Sequence, residues 1–588
     1  MKILTSIIII TYNQLKYTQE CIASIRQYTE AGTYELIVID NNSTDGTQEW
    51  LSSQQDILSV LNTQNFGFPK GCNQGIALAK GETVLLLNND TVVTPRWLEL
   101  LLERLYSDEC IAAVGPVTNN MSNYQQIQVP YKTIDEMITF ADQYNKPDDD
   151  AYEYRLRLMG FCLLMKKQII EQIGFLDERF SPGNYEDDDL SYRIIEAGYH
   201  LVLCKNVFIH HYGSVSFGAQ NDKYTALLKK NKQKFIEKWG FESGYSSFIR
   251  NDIIQLINPY DKNSSIRVLE IGCACGGTLL GIKSKYRNAE LHGIEINKAA
   301  AIIASNFANV RIANVENQLD YPPKHFDYIL LPDVLEHLTD PWNVLRNLVV
   351  YLKDNGKIIA SIPNVMHYSV LKEVLNGRWY KDSGIMDNTH LRFFTLHEID
   401  KMFRATGCQS VRYHGNTLTI NDEDQRFVDG LVQLSQPELR EQFIVYQYLV
   451  EACSPHFDSF LQKCIERFDA AAQNENDLIN LLDATSDGNV TSDNLISIID
   501  SLPVNRIKIL NQLAVIFYNN RHYNLVIPLL QHALEIDNLD EDSLYNLGYF
   551  LYRASEYELS LYYLEQIPNK DQDINQLIIE VQQNKLEN

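Results

Sequence analysis

Two acidic clusters hold residue types that can do chemistry together. In Thr83–Asp90, four apolar residues, Val84 to Leu87, run without a polar break and end in Asn88, Asn89 and Asp90. Such a run reads as a strand buried on both faces. The carboxylate after it then stands at the C-terminal edge of a sheet, where open α/β folds bind ligands. An acid there can hold a divalent cation against a diphosphate, since Mg2+ takes one or two carboxylates and fills its other positions with phosphate oxygens and water. The second cluster, Glu186-Asp187-Asp188-Asp189, precedes a helix closed by Gly198. As a solvated helix N-terminus its charge is favoured by about 0.3–1 kcal/mol. As the source of a general base it contributes about 10²–10⁴-fold in rate, or roughly 3–5.5 kcal/mol. The second effect is much the larger, so substitution separates the two readings.

The surrounding elements must position these acids. Ser6–Ile10 reads as a first strand, followed by a helix with Tyr17, Cys21, Ile22 and Ile25 on one face. Leu36–Ile39 is a second buried strand that ends in Asp40, which is placed to accept hydrogen bonds from a base or ribose. Asp45 and Gln48 are spaced to cap the next helix. Asn65, Gly67, Gly71, Asn73 and Gly75 form a glycine-spaced loop before a helix over 76–80, and its glycines allow close backbone approach to a ligand. Further on, Ile266–Gly277 is a strand opening into a glycine-rich turn, and Leu291–Ile294 a strand ending in Glu295. An acid about 20 residues beyond a glycine turn suits ribose hydroxyls and leaves NAD open as a ligand. From about 420 the pattern turns helical and acidic. Leu513-Ala514 recurs as Leu547-Gly548, Tyr523 as Tyr557 and Leu530 as Leu564, each 34 residues on (547 − 513, 557 − 523, 564 − 530).

The chain has 588 residues, 45% apolar and 22% charged, which fits about three or four folded domains. With 51 basic against 76 acidic residues its charge is −25, which disfavours nucleic acid or an anionic membrane as partner. Lys2–Ile10 is followed by Thr11-Tyr12-Asn13 rather than a small-residue cleavage site, so it reads as a strand and not a signal peptide. No apolar run approaches the roughly 20 residues that cross a bilayer, and the expected location is cytoplasmic. Ten scattered cysteines read as reduced core thiols, with Cys273 and Cys275 alone too few for zinc.

The ordered motifs Thr11-Tyr12-Asn13, Val38–Thr47, Asn65–Gly75 and Leu85–Asp90 resemble family-2 glycosyltransferases of the GT-A fold, in particular the rhamnosyltransferase-like branch, over about 200 residues. The resemblance implies an inverting, metal-dependent enzyme. A nucleotide-diphosphate sugar would be held by Thr11, Tyr12, Asn13, Asp40, Asn65, Gly67, Asn73 and Asn89. Mg2+ or Mn2+ would be bound by Asp90 with His210 or His211, and Asp187, beside Glu186, would be the base. Gly160-Phe161-Cys162 matches the acceptor-side loop.

The turn Glu270-Ile271-Gly272-Cys273-Ala274-Cys275-Gly276, with Asn314-Val315-Glu316 and Asp333–Leu338, resembles a class I S-adenosylmethionine-dependent methyltransferase. That implies cofactor contacts from Glu270, Gly272, Cys273, Gly276, Glu295, Asn314, Val315, Glu316 and Asp333, and His337, His390 or Asp387 as the base for a sugar hydroxyl. The 34-residue period resembles tetratricopeptide repeats, at about 506–570.

The expected architecture is multidomain α/β plus all-α: a GT-A domain over 1–245, a Rossmann-like methyltransferase over 250–415 and a helical domain over 420–588. The implied function is glycosyl transfer coupled to methylation of a protein acceptor, flagellin by analogy. The competing readings are a surface-polysaccharide or O-antigen glycosyltransferase and a repeat scaffold with decayed enzymatic domains.

Overall fold

The computed structural model describes residues 4–587 apart from 122–123, 214–221, 260–262, 264, 380, 382, 470–477, 479–480, 483–484 and 486–489. Lys2 and Ile3 of the expected first strand, and part of the helical stretch expected before 500, lie outside the described residues. Contacts divide the chain into two compact units. One is Met1–Ile254 with Gly272–Arg287 and Leu291–Asn314; the other is Gln255–Ile271 with Asn288–Glu290 and Val315–Asn588.

The strands before residue 245 are β1 (Thr5–Thr11), β2 (Tyr34–Asp40), β3 (Ile57–Leu61), β4 (Thr83–Asn88), β5 (Thr91–Val92), β6 (Ile111–Val117), β7 (Tyr152–Arg155), β8 (Cys162–Lys166), β9 (His200–Phe208) and β10 (His210–His211). Eight form one sheet in the order β3-β2-β1-β4-β8-β6-β9-β7, and β5 pairs with β10. β1 is parallel to both β2 and β4, with Thr11 opposite Asp40 and Ile10 opposite Asn88. Three strands therefore end at one edge. Their middles are apolar, and Val84 to Leu87 are at most 1% exposed, as a strand covered on both faces requires. After β3 the next strand crosses to the other side of β1, and open α/β sheets bind ligands at such a reversal, outside the carboxyl ends of the strands.

The glycine-spaced loop expected over 65–75 is largely helix, Phe68–Leu78. Gly71 and Gly75, one turn apart, face Ile10 and Ile8 of β1, so they admit the sheet and not a ligand. A Cβ on Gly75 would lie 2.3 Å from Ile8 Cγ2. Gly75→Ala is accordingly expected to destabilise this unit by about 1–3 kcal/mol through overpacking, read as a lower denaturant midpoint. The Asp45–Gln48 cap is also corrected. Asp45 bonds Thr47, Gly46 occupies the N-cap, and Gln48 reaches back to Asp40.

The later strands are β11 (Arg267–Ile271), β12 (Glu290–Glu295), β13 (Asn309–Ile312), β14 (Phe326–Pro332), β15 (Leu352–Pro363), β16 (Gln409–Thr417) and β17 (Val445–Cys453). In the first unit β12 pairs in parallel with β13, and in the second a sheet runs β11-β14-β15-β17-β16. β17 is antiparallel to β15 and β16. The region expected to be helical from 420 thus supplies a strand to this sheet, because a short apolar run cannot be told from buried helix by periodicity alone. Within the first unit, helix Gly277–Lys285 packs on β7, and Cys275, Leu280, Ala300 and Ile303 join the core of Leu190 and Tyr192.

Near the C-terminus, helix Arg506–Asn519 packs on Tyr523–Ile536, and Glu541–Arg553 on Tyr557–Gln566. Leu513, Leu530, Leu547 and Leu564 are fully buried, whereas Tyr523 is 56% exposed and does not share their role. Among the described residues no helix is long and apolar enough to cross a membrane.

Candidate functional site

Asp90 follows the end of β4 and is 6% exposed. β5 and β10 form a two-residue ladder that sets His211 opposite Thr91, the residue after Asp90. His211 Nε2 lies 3.2 Å from Asp90 Oδ1, and its Nδ1 is 2.8 Å from the carbonyl of Asn120. A carbonyl only accepts, so Nδ1 carries a proton and Nε2 is the nitrogen turned to the acid. Burial opposes charge on this ring, but the bond to Asp90 outweighs it and raises the His211 pKa. A divalent cation between the two would take the place of the Nε2 proton, and an imidazole with a carboxylate suits Mn2+ or a similar ion. His210 differs. Its Nδ1 meets the Tyr131 hydroxyl at 2.8 Å, and burial, then the neighbouring His211, lowers its pKa to about 4. Phe161 packs its ring on His211 at 5.3 Å between centroids.

The four acids of the second cluster open helix Glu186–Glu196, and all are at most 9% exposed, which overturns the solvated reading. Two are neutralised. Asp188 pairs with Arg157 at 2.9 Å and accepts from Ser243 Oγ at 2.6 Å. Asp189 pairs with Arg193 at 2.9 Å and Lys238 at 2.5 Å. Among the described residues Glu186 and Asp187 have no ion-pair partner. Asp187 Oδ2 instead accepts from the Gly160 amide at 3.1 Å. Burial, with the charge of Asp188 next, raises its pKa to about 6; burial and then Asp187 push Glu186 well above the usual carboxylate range. The backbone joins the two clusters. Gly160 holds Asp187, and the carbonyl of adjacent Phe161 accepts from the Asn88 amide at 2.8 Å, two residues before Asp90. Arg157 and Ser243 were not nominated from sequence, because a lone arginine and serine in apolar surroundings give no signal.

Asp40 is fully buried. Its Oδ1 accepts from Ser43 N and Gln48 Nε2, and Oδ2 has no hydrogen-bond partner among the described residues. Tyr12 is 47% exposed at the same edge, and Asn13 has φ 57 with its Oδ1 receiving Thr44 N. Thr11 bonds inward to Thr18, as does Asn89. Asn65 Oδ1 accepts from the Gly67 amide. Two residues expected to contact the ligand have close protein neighbours. A Cβ on Gly67 would meet Pro182 Cα at 2.7 Å, so protein fills the space beside it. The Asn73 amide bonds Leu176 N and O at 2.9 Å each and Glu178 at 3.1 Å.

In the later part of the first unit, Gly272 (φ 68) donates to Ile294 O at 2.8 Å, and Ala274 N to Glu295 Oε2 at 2.8 Å. Glu295 Oε1 takes the Asn297 amide at 2.7 Å; each carboxylate oxygen keeps a second lone pair. Cys273 is buried, Gly276 (φ 82) caps helix Gly277–Lys285, and Asn314 follows β13. In the second unit Glu270 is 3% exposed on β11 and Val315 is buried. Glu316 takes the Thr339 amide at 2.8 Å, and Asp333 accepts from Ser361 Oγ at 2.8 Å. His337 and His390 lie with ring centroids 4.7 Å apart, and Asp387 Oδ1 is engaged by Thr389 Oγ1 at 2.6 Å.

Residues 6–174 match the family described as "Glycosyl transferase family 2", and residues 244–413 the one described as "Methyltransferase domain". Glycosyltransferase GlyG of Streptococcus pneumoniae is 24% identical over 221 residues, 36% of this chain and 69% of its own. A ubiquinone biosynthesis O-methyltransferase of Alkalilimnicola ehrlichii is 31% identical over 170 residues, 27% of this chain and 67% of its own. Among solved structures, a mannosyltransferase of Pyrobaculum calidifontis in complex with GDP-Man and Mn2+ gives a TM-score of 0.30 at 18% identity, covering 41% of this chain and 64% of that one. The chain spans 25% and 34% of the length of two further curated relatives that it matches.

Proposed function

We propose that this chain, which joins a family-2 glycosyltransferase domain over residues 6–174 to a methyltransferase domain over 244–413, moves a sugar from a nucleotide-diphosphate donor to a hydroxyl with inversion and methylates the product or its acceptor. The observation that carries the reading is a backbone tie between two kinds of acid: Asp90 faces His211, and Asp187, which has no ion-pair partner among the described residues, is linked to Asn88 through Gly160 and Phe161. Asp90 and His211 hold the cation, Mg2+ or Mn2+, which when bound supplies positive charge against the departing diphosphate. Asp187 takes the acceptor's proton as its oxygen attacks the anomeric carbon. Arg157 and Ser243 fix Asp188, so that repulsion among the four acids falls on Asp187 and Glu186. Asp40 and Tyr12 receive the nucleoside.

S-adenosylmethionine is assigned to the turn Gly272–Gly276, with Glu295 on its ribose; the glycine turn of positive φ and an acid ending the next strand support this. The terminal helix pairs, read as tetratricopeptide repeats, would recruit a protein acceptor.

The full chain is to be incubated with Mn2+, S-adenosylmethionine and a panel of nucleotide sugars, against flagellin in one arm and lipid-linked oligosaccharide in the other, and the acceptors weighed by mass spectrometry. A sugar increment followed by a methyl increment on the protein is the expected result, and increments on the oligosaccharide alone would move the acceptor to a surface glycan. Consumption of neither donor would leave only a scaffold. Glu295→Ala is expected to weaken S-adenosylmethionine at least about tenfold, or about 1.4 kcal/mol, with sugar transfer retained.

A further inference from the structure

In the second unit, past the carboxyl end of β14, Glu336, His337 and His390 each bring one potential ligand atom to within 4.8 Å of the others. We propose that these three side chains form a second divalent-metal site, a two-imidazole, one-carboxylate set that takes zinc or a similar borderline ion. Three observations carry it. First, both imidazoles are locked in one tautomer: His337 Nδ1 lies 3.2 Å from Thr389 O and His390 Nδ1 2.9 Å from Ile385 O. Carbonyls only accept, so both protons sit on Nδ1 and both Nε2 atoms keep the lone pair a metal needs, the arrangement that orients histidine ligands generally. Second, the Glu336 side chain is part of a residue only 1% exposed, which places a carboxylate where charge is poorly solvated and a cation is favoured. Third, the Leu391 and Arg392 amides donate to the Glu336 carbonyl at 2.8 and 3.0 Å, which holds the His390 loop to the Glu336 turn independently of any ion.

Two histidines and a glutamate leave a coordination position open, as in catalytic zinc sites. Ligand atoms around such an ion stand about 3.3 Å apart, so rotations of roughly 1 Å about the side-chain bonds close the set. The same facts weaken the expected role of these histidines as bases. Both Nδ1 atoms face carbonyls, and Asp387 accepts from the amide and hydroxyl of Thr389. The consequence for chemistry rests on the methyltransferase reading: an ion held by Glu336, His337 and His390 would supply positive charge that lowers the pKa of an acceptor hydroxyl.

The test uses the full chain stripped with chelator, reloaded with Zn2+ and assayed for bound metal after desalting, with Co2+ absorption as a second readout. Glu336→Gln/His390→Asn is expected to lose one equivalent of metal, with affinity at that site down at least tenfold, while Asp90→Asn keeps it. His337→Asn alone, whose side chain is part-exposed, guards against misfolding of the double variant, and melting curves accompany all three. Equal metal content and an unchanged Co2+ spectrum in wild type, the double variant and His337→Asn would overturn the site. S-adenosylmethionine binding by calorimetry separates the two levels: binding intact with no metal lost rejects only the metal site, whereas a wild-type chain that binds no S-adenosylmethionine overturns the methyltransferase reading itself.

Discussion

Asp187→Asn is expected to reduce sugar transfer by about 10²–10⁴-fold, leave donor affinity unchanged and raise the melting temperature. The first effect follows from removing a positioned base. The last follows from burial. Holding the Asp187 pKa at about 6 rather than 3.8 means that the fold binds this proton more tightly than the unfolded chain does. The ionised carboxylate then costs the folded state up to about 3 kcal/mol, at about 1.36 kcal/mol per tenfold. That penalty is present in full above pH 6 and disappears as pH falls through 6 towards 3.8. The variant should therefore melt several degrees above wild type at pH 7–8, and the gap should close near pH 4. The wild-type transfer rate should fall as pH drops below about 6, because the base is then protonated. Glu186→Gln should be far milder, since burial and the Asp187 charge push Glu186 well above the usual carboxylate range and the base role is assigned to Asp187. Undiminished turnover in Asp187→Asn, or a flat rate profile between pH 5 and 8, would refute the assignment.

Asp90→Ala and His211→Ala should each weaken Mn2+-dependent donor binding by roughly a hundredfold, or about 2.7 kcal/mol, and bring it to the level of wild type in chelator. His210→Ala should leave donor affinity nearly unchanged, because its ring is bonded to Tyr131 and packed edge-on to Tyr212 at 4.7 Å. Calorimetry with a nucleotide diphosphate, with and without Mn2+, reads all three. Equal affinity with and without metal in wild type would remove the cation from the proposal.

Strand ends and the acids that follow them are written locally. Val84–Leu87 must be covered on both faces, so its last polar residues emerge at a sheet edge whatever the rest of the chain does. The same holds for Asp40 at the end of β2 and Glu295 at the end of β12. Glycines carry a less specific message. Gly67 and Gly75 signal close approach, but whether to a ligand or to Pro182 and Ile8 depends on what packs there. β17 hid within a helical stretch because its partners β15 and β16 precede it in the chain.

Sequence alone therefore determined which acids stand at the strand ends and the kinds of ligand they suit, since apolar runs and their polar stops are set within a few residues. Only the tertiary structure decided which acids keep their charge available and which histidine meets Asp90. Neutralisation of Asp188 by Arg157 and Asp189 by Lys238, and the ladder that turns His211 rather than His210 to the acid, all join segments far apart in the chain. Burial and charge pairing act through space, over a few ångströms, and no local pattern encodes which distant segment will supply the partner.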